Sequence, residues 1–249
     1  EHIVALHDFT HPEEVFPDTN NRGGVCFFLR DTSVSNENYI LVANHYDNGV
    51  VCEEKRIQKV EGLDIFIRSN KSLSVLDKVI KGTGENDWMY RHISAAKAFG
   101  LRTFFIKDPR FKQTSIGLVE PIKCYGRGGS VGFVEKKDIL SHTEWIKLWK
   151  VYVPESNNIG TELNDDNQNA IVGAPNTICT ETYLVVGADL NLSKLKATNC
   201  AQYLKTKFAR FLLSLAKVSQ HGTAKTYRFV PVVDFSKSWT DAKLYKKYN

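Results

Sequence analysis

The chain has 249 residues, of which 42% are hydrophobic and 24% are charged, and its formal net charge is +5. This composition provides enough apolar side chains for a packed core, and its mild basic excess permits a polyanionic partner without proving one. No apolar run approaches the roughly 20 residues of a membrane-spanning helix, so we expect a soluble protein that does not enter a membrane.

The N-terminal residues carry no secretory signal, because Glu1-His2-Ile3-Val4 has neither a basic start nor an apolar core. We therefore expect a cytoplasmic protein. Since the chain does not open with methionine, we also expect a fragment of a longer protein. The five cysteines are scattered and form no Cys-x-x-Cys pair, so the sequence predicts neither a disulfide framework nor a zinc site.

The first 55 residues are predicted to form strands. Gly24–Leu29 is a continuous apolar run of the kind found in buried strands. Tyr39–Ala43 and Val50–Cys52 flank Asn48-Gly49. Because Asn-Gly supplies the positive φ values of a tight turn, this pattern predicts a hairpin.

The middle of the chain is predicted to alternate short elements. Ser72–Ile80 carries apolar residues at helical spacing and is followed by Gly82, a common helix end. Asp138–Lys147 can form a short helix, and the polar segment Glu155–Asn169 is predicted to be a surface loop. Short strands are predicted at Asp64–Arg68, Arg102–Ile106, Gly117–Glu120, Val131–Val134 and Trp149–Val153.

The last quarter has the most regular pattern. Ile178–Val186 is β-rich, and apolar residues at helical spacing predict one helix over residues 201–218. Lys217 and other basic residues lie off this apolar stripe, so we expect them on a solvated face. Phe229–Phe235 is predicted to be a strand, followed by a helix start at Trp239-Thr240-Asp241.

The sequence lacks the motifs of a self-sufficient methyltransferase. An enzyme that binds S-adenosylmethionine needs a glycine turn after a strand, and an adenine amino-methylase also needs an Asn/Asp-Pro-Pro-aromatic segment. All seven prolines are isolated, and Gly82-Thr83-Gly84 follows a predicted helix rather than a strand. We therefore predict no catalytic residue, no metal ligand and no cofactor site in this chain.

Several loops carry side chains suited to nucleic-acid recognition, which requires basic and hydrogen-bonding groups where small neighbours permit close approach. Arg127 lies on a glycine-rich turn beside Tyr125, and Gln220 lies in a polar loop. Arginine can bind guanine through two hydrogen bonds, and glutamine can bind adenine in the same way. The candidate DNA-binding residues are Arg102, Lys107, Lys123, Tyr125, Arg127, Gln220, His221 and Lys225.

A series of short motifs extends along almost the whole chain. It consists of Glu14–Pro17, Arg22–Leu29, Ala98–Leu101, Tyr125–Gly132, Trp149–Pro154, Cys179–Tyr183, Lys205–Phe211 and Tyr227–Pro231. In this order the motifs resemble those of adenine-specific DNA methyltransferases from restriction–modification systems. The likeness is to the region that follows the Asn-Pro-Pro motif. Two positions depart from the family pattern: Ala98 replaces the proline of a Pro-Phe-Gly-Leu element, and Asn21-Arg22 replaces a lysine.

This resemblance implies the target-recognition, TaqI-like specificity region of a type II or IIG enzyme. Residues 1–58 would be the C-terminal strands of a methyltransferase domain, and residues 59–249 would be a DNA target-recognition domain. The implied fold is α+β, with twisted, largely antiparallel sheets and a few packed helices. The implied partners are double-stranded DNA and the N-terminal methyltransferase domain of the same parent chain. The parent would bind S-adenosylmethionine, and some members of the family are fused to a restriction endonuclease. This region alone would be inactive.

Two alternatives remain open. A magnesium-dependent restriction endonuclease would need carboxylates that hold the metal and a lysine that activates water, and Asp108, Glu135 and Lys137 are candidates. The chain could also serve mainly to pack against a partner subunit. That role predicts a large exposed apolar patch and no basic groove.

Overall fold

A computed structural model describes residues 2–18, 23–34, 39–46, 49–58, 60, 63–157, 159, 168–217 and 219–249. Within these residues the chain forms ten β-strands in three sheets and four α-helices. Two strand pairs are parallel and the others are antiparallel. This arrangement confirms the predicted α+β class.

The N-terminal strands form one mixed sheet. Its order is β2-β1-β3-β4, with β1 parallel to β3. Tyr46 lies opposite Val50 in the antiparallel β3–β4 pair, which confirms the predicted hairpin, although Asp47 and Asn48 of its turn lie outside the described residues. The strands are β1 (Ile3–Phe9), β2 (Val25–Arg30), β3 (Tyr39–Tyr46) and β4 (Val50–Ile57).

The predicted burial of Gly24–Leu29 is wrong. The segment does form strand β2, but Phe27 and Leu29 are 54% and 60% exposed. The reason is topological: β2 is an edge strand, and the buried side of the sheet lies under β3, around Ile40 and Val42. An apolar run marks a strand without showing which elements cover it.

A buried polar network joins this sheet to helix α1 (Asn70–Lys81), which ends at Gly82 as predicted. The Asn70 side-chain amide donates to the carbonyls of Val42 (3.0 Å) and Cys52 (3.2 Å). Its oxygen accepts from Arg56 Nε (2.7 Å), and its backbone N–H donates to Asn44 Oδ1 (2.8 Å). The sheet is therefore attached by hydrogen bonds that apolar residues could not replace.

The same network explains why Asp64–Arg68 is not the predicted strand. The carbonyl of Ile67 accepts from the Arg56 guanidinium, and the carbonyl of Arg68 accepts from the Asn44 amide (2.9 Å). The Arg68 side chain in turn pairs with Asp8 on β1 (2.7 Å). These carbonyls bind side chains instead of a neighbouring strand.

Two further three-stranded sheets follow, in the orders β6-β5-β9 and β10-β7-β8. The predicted strands at residues 131–134 and 149–153 are confirmed as β6 and β7, and the β-rich run after residue 177 forms β9 and β10. The six strands are β5 (Pro121–Tyr125), β6 (Val131–Glu135), β7 (Lys150–Pro154), β8 (Ile171–Gly173), β9 (Thr177–Cys179) and β10 (Tyr183–Val186).

The β10-β7-β8 sheet separates two hydrophobic cores. Val151 and Val153 of β7 face a core built with the helices, whereas Tyr152 faces a second core with Phe99 and Ile178. Strands covered on both faces are apolar at every position. This explains the apolar residues Val151–Val153 of β7, which follow the buried Lys150, and the apolar run of β10.

The predicted single helix over residues 201–218 is in fact two, α2 (Lys194–Leu204) and α3 (Lys207–Ala216). Thr206 ends the first and caps the second, because its hydroxyl accepts from Ala209 N (3.2 Å). The carboxylate of Asp241, from the start of α4 (Asp241–Lys247), accepts from Phe208 N (2.8 Å). The helix start predicted at Trp239-Thr240-Asp241 is confirmed as the start of α4.

Other extended or helical predictions are wrong because tertiary packing overrides local preference. Arg102–Ile106 forms no strand, and a 3-10 helix covers Thr103–Lys107 instead. Gly117–Glu120 is a turn and bend. Asp138–Lys147 contains only 3-10 turns. Phe229–Phe235 is buried apart from Val232 and Asp234, and within the described residues its only β-type pairing is an isolated bridge between Pro231 and Trp88.

The longest helix in the described part of the chain has 12 residues, and none there is long and apolar enough to cross a bilayer.

Candidate nucleic-acid interface

Arg127 lies exposed at the tip of the turn between β5 and β6. A hydrogen bond from Gly126 N to Ser130 O (2.8 Å) closes the turn. Gly128 and Gly129 have φ values of +67° and +75°, and a Cβ at either position would meet nothing within 4 Å. These two glycines are therefore required by backbone conformation, and the space around Arg127 is open to a ligand.

Lys123 and Tyr125 lie on the same side of β5, next to this turn. The Lys123 ammonium is 5.3 Å from the centroid of the Tyr125 ring, a cation–π arrangement. The Tyr125 ring packs against Tyr152, with 5.6 Å between centroids. Because Tyr152 belongs to the core, this contact fixes the tyrosine and the positive charge beside it.

Arg102 and Lys107 lie at the two ends of a 3-10 helix that packs against the turn. Ile106 of this helix approaches so closely that a Cβ at Gly126 would lie 2.3 Å from its Cγ2 atom. Gly126 is thus required by close packing. Both basic side chains are exposed, so this contact brings them near Arg127.

The backbone segment 180–182 connects the region around Arg127 to the segment after β7, which holds the loop of Gln220 and His221. Its residues bond, in turn, to β5, to the start of the 3-10 helix and to the segment after β7. The hydrogen bonds are Thr180 N to Tyr125 O (2.9 Å), Glu181 N to Leu101 O (2.8 Å) and Glu155 N to Thr182 O (2.9 Å).

The loop that carries Gln220 and His221 is attached to the other side of Glu155. Gly222 N donates to Glu155 O (2.5 Å), and Asn157 N donates to Gln220 O (3.0 Å). The His221 ring nitrogen lies 3.0 Å from the Glu155 carboxylate.

Lys225 is the candidate that the structure does not bring to this group. It is exposed on the 3-10 helix Ala224–Tyr227, beside the ion pair of Arg228 and Asp64. No contact described for it reaches the turn around Arg127. The seven other candidates lie on segments joined through residues 180–182 and 155.

The charges of the group are only partly neutralised. Arg102 pairs with Glu181 (3.4 Å), and the same carboxylate accepts from Thr103 N (2.9 Å). Within the described residues Lys107 and Arg127 have no acidic partner. The sequence did not single out Glu181, whose role depends on a strand pairing that local patterns do not show.

The carboxylates of the nuclease alternative are engaged with nearby cations. Arg110 donates to both oxygens of Asp108 (2.9 and 2.8 Å), which lowers the pKa of Asp108 to about 2. Glu135 pairs with Lys137, and that hydrogen bond raises the pKa of the Lys137 ammonium, so the amine stays protonated and is less available to accept a proton from water. In the described part of the chain no three His, Cys, Asp or Glu residues are placed to hold a metal ion. The alternative gains no support and stays a prediction.

A second exposed feature is the side of the N-terminal sheet that faces away from α1. Its aromatic rings stack in pairs, His7 on Phe27 (4.6 Å between centroids) and Phe9 on His45 (3.9 Å). The two histidine rings also approach each other, with Nδ1 and Nε2 3.0 Å apart. We call this surface the outer sheet face; it comprises Ala5, His7, Phe9, Phe27, Leu29, Tyr39, Leu41 and His45.

The sequence did not reveal the outer sheet face, because its residues come from three strands that alternate in sidedness. Only the strand register places them together.

Comparison with protein-family models gave no match, and comparison with curated proteins gave no significant match either.

Proposed function

We propose that this chain is the sequence-specific, double-stranded DNA recognition region of a restriction–modification adenine methyltransferase. The observation that carries the proposal is the convergence of three loops, distant in sequence, that bear Arg102, Arg127 and Gln220. The convergence is made by backbone hydrogen bonds, so it positions loops whose side chains are free to vary. Recognition regions require such an arrangement, because binding residues are disproportionately placed on loops held by a rigid scaffold.

The side chains divide into two roles. Lys107 and Lys123 contact phosphates, which fix the position of the protein on the duplex without reading sequence. Arg127 and Gln220 read base edges, since arginine pairs with guanine and glutamine with adenine, at about 1–3 kcal/mol of discrimination each. The open space around Arg127 lets it reach into a groove.

Residues 1–58 form the closing strands of the methyltransferase domain in this proposal, and residues 59–249 form the recognition domain. The outer sheet face supports that division, since exposed contiguous apolar patches mark interaction surfaces. The preceding part of the parent chain would cover it and would supply S-adenosylmethionine binding and the Asn-Pro-Pro segment. Methyl transfer to adenine requires the base to leave the stack, and the recognition region would hold the deformed duplex.

Salt-dependent binding to a 30-base-pair duplex tests the proposal by fluorescence anisotropy. With four phosphate contacts the affinity falls roughly 100-fold between 50 and 200 mM salt, because each contact releases counterions. The double variant Lys107→Gln/Lys123→Gln removes the two phosphate contacts and lowers the slope of log affinity against log salt by about two. The matched control Lys194→Gln/Lys246→Gln removes two exposed charges from helices α2 and α4 and leaves the slope unchanged. A flat salt dependence of the wild-type chain contradicts DNA recognition.

The outer sheet face also favours a second candidate, in which the chain serves mainly to bind a partner protein. A protein-binding role gives no reason for Lys107 and Arg127 to lack acidic partners within the described residues, whereas DNA binding does. The same titration separates the two, because a protein-binding module shows no duplex affinity at 50 mM salt.

A further inference from the structure

The loop of residues 112–120 presents apolar side chains to solvent. Ile116 at its tip is 88% exposed and Val119 is 70% exposed. Single exposed apolar residues are common on protein surfaces, but two on one short loop, with Ile116 at its corner, need a physical explanation. We call residues 112–120 the finger.

The finger is held firmly at both ends by strand β6. At its start, Lys112 and Phe133 exchange backbone hydrogen bonds (2.8 and 2.7 Å). At its end, Val119 N donates to the Glu135 carboxylate (2.8 Å), and Lys136 N donates to the carbonyl of Glu120 (3.3 Å). The anchored ends prevent the loop from folding back to bury its apolar residues.

The tip is a tight turn with Ile116 at its corner. Leu118 N donates to Ser115 O (3.3 Å), and Gly117 has a φ value of +81°, as the third residue of a type II turn requires. The second residue of such a turn points its side chain away from the chain. The backbone therefore directs Ile116 outward and holds it there.

The surroundings of Ile116 indicate the chemistry of its partner. Gln113, Thr114 and Ser115 are exposed, uncharged hydrogen-bonding residues, and the one acidic residue of the finger, Glu120, pairs with Lys136 (2.9 Å). Lys112 is exposed and has no acidic partner within the described residues. Amide and hydroxyl groups and the Lys112 ammonium therefore surround Ile116. Such a surface suits a ligand with charged phosphates on its outside and stacked apolar bases inside, which describes duplex DNA.

We propose that Ile116 is a wedge that inserts between adjacent base pairs of duplex DNA and kinks it, while Lys112 contacts a flanking phosphate. This inference rests on the proposed function. Isoleucine is among the side chains that DNA-bending proteins insert between base steps, where unstacking is offset by additional contacts. A duplex already unstacked at one step gives up a base more easily, which suits an enzyme that must extrude adenine.

Unwinding of plasmid DNA tests the wedge without knowledge of the target sequence. Closed circular plasmid is relaxed by topoisomerase in the presence of the chain, and the change in linking number is read on a gel after protein removal. Wild-type protein is expected to unwind the plasmid. At an equal fraction of bound protein, Ile116→Ala is expected to unwind the plasmid at least five-fold less than the wild type does. Its salt slope stays unchanged because no charge is removed, whereas Lys112→Gln lowers the slope by about one.

Leu195→Ala is the matched control, because it shortens an exposed aliphatic side chain on α2, and it should unwind like wild type. Equal unwinding by Ile116→Ala, or wild-type binding without unwinding, overturns the wedge and leaves DNA recognition intact. Absence of any duplex binding by the wild-type chain overturns both.

Discussion

Two lysines of this chain lie in its interior, although the sequence predicted a solvated face for one of them. Lys217 is 2% exposed, and its ammonium donates to the carbonyls of Asn157 (2.7 Å), Ile159 (3.1 Å) and Ser219 (2.7 Å). Lys150 has no exposed surface and donates to the carbonyl of Leu148 (2.9 Å). In both cases an amine satisfies backbone oxygens that would otherwise be unpaired.

Burial lowers the pKa of Lys150 to about 8 from its ordinary 10.5. Below pH 8 the Lys150 amine is charged in both the folded and the unfolded state, so the folded protein carries the full cost of burying that charge. As the pH rises toward 10.5 the folded state loses its proton first, and stability increases, by roughly 3 kcal/mol at pH 10. Urea unfolding of wild type and Lys150→Met from pH 7 to 10 measures this, and wild type should gain stability relative to the variant. Lys147→Met, an exposed neighbour, should follow wild type; parallel profiles for wild type and Lys150→Met would rule out the mechanism.

The elements that the sequence predicted correctly are those whose signals are local. Helix α1 has an apolar stripe and Gly82 at its end, and α4 has Thr240 as its capping residue. The break at Thr206 was missed because it depends partly on Asp241, which is distant in sequence. Of the site, the residue types around Arg127 could be recognised, but their convergence could not, because it is made by backbone pairing through residues 180–182.

The attachment of the N-terminal sheet to α1 depends on Asn70, whose side chain makes three buried hydrogen bonds. Asn70→Ala should lower the free energy of unfolding by about 3 kcal/mol, because its partners lose their bonds away from water. Hydrogen exchange should accelerate in β3 and β4 while β7 and β10 remain protected. Asn199→Ala removes a buried bond to the carbonyl of Phe235 that does not involve the N-terminal sheet, and it serves as the control. Uniform acceleration across all sheets in Asn70→Ala would contradict a separable attachment.

At the scale of the whole molecule, the outer sheet face is an apolar surface without a covering element among the described residues. Phe27→Thr/Leu29→Thr should reduce self-association, measured by sedimentation velocity over a range of concentrations, because an exposed apolar edge strand favours pairing with another chain. Stability should change by no more than about 1 kcal/mol, since both side chains are exposed. Val75→Thr, an exposed position on α1, provides the control. Unchanged association in the double variant would show that this face does not drive self-contact.

The closed turn that carries Arg127 has a consequence for how the protein can change over time. The bond between Gly126 and Ser130 closes the turn at its base, and a side chain at Gly128 or Gly129 would meet nothing within 4 Å. New side chains at the tip therefore leave the surrounding structure unaltered, provided that the left-handed backbone at Gly128 and Gly129 is preserved. The tip can therefore be exchanged independently of the rest of the fold. A change of base preference can arise from one or two codon changes, and no compensating mutation is needed to restore stability.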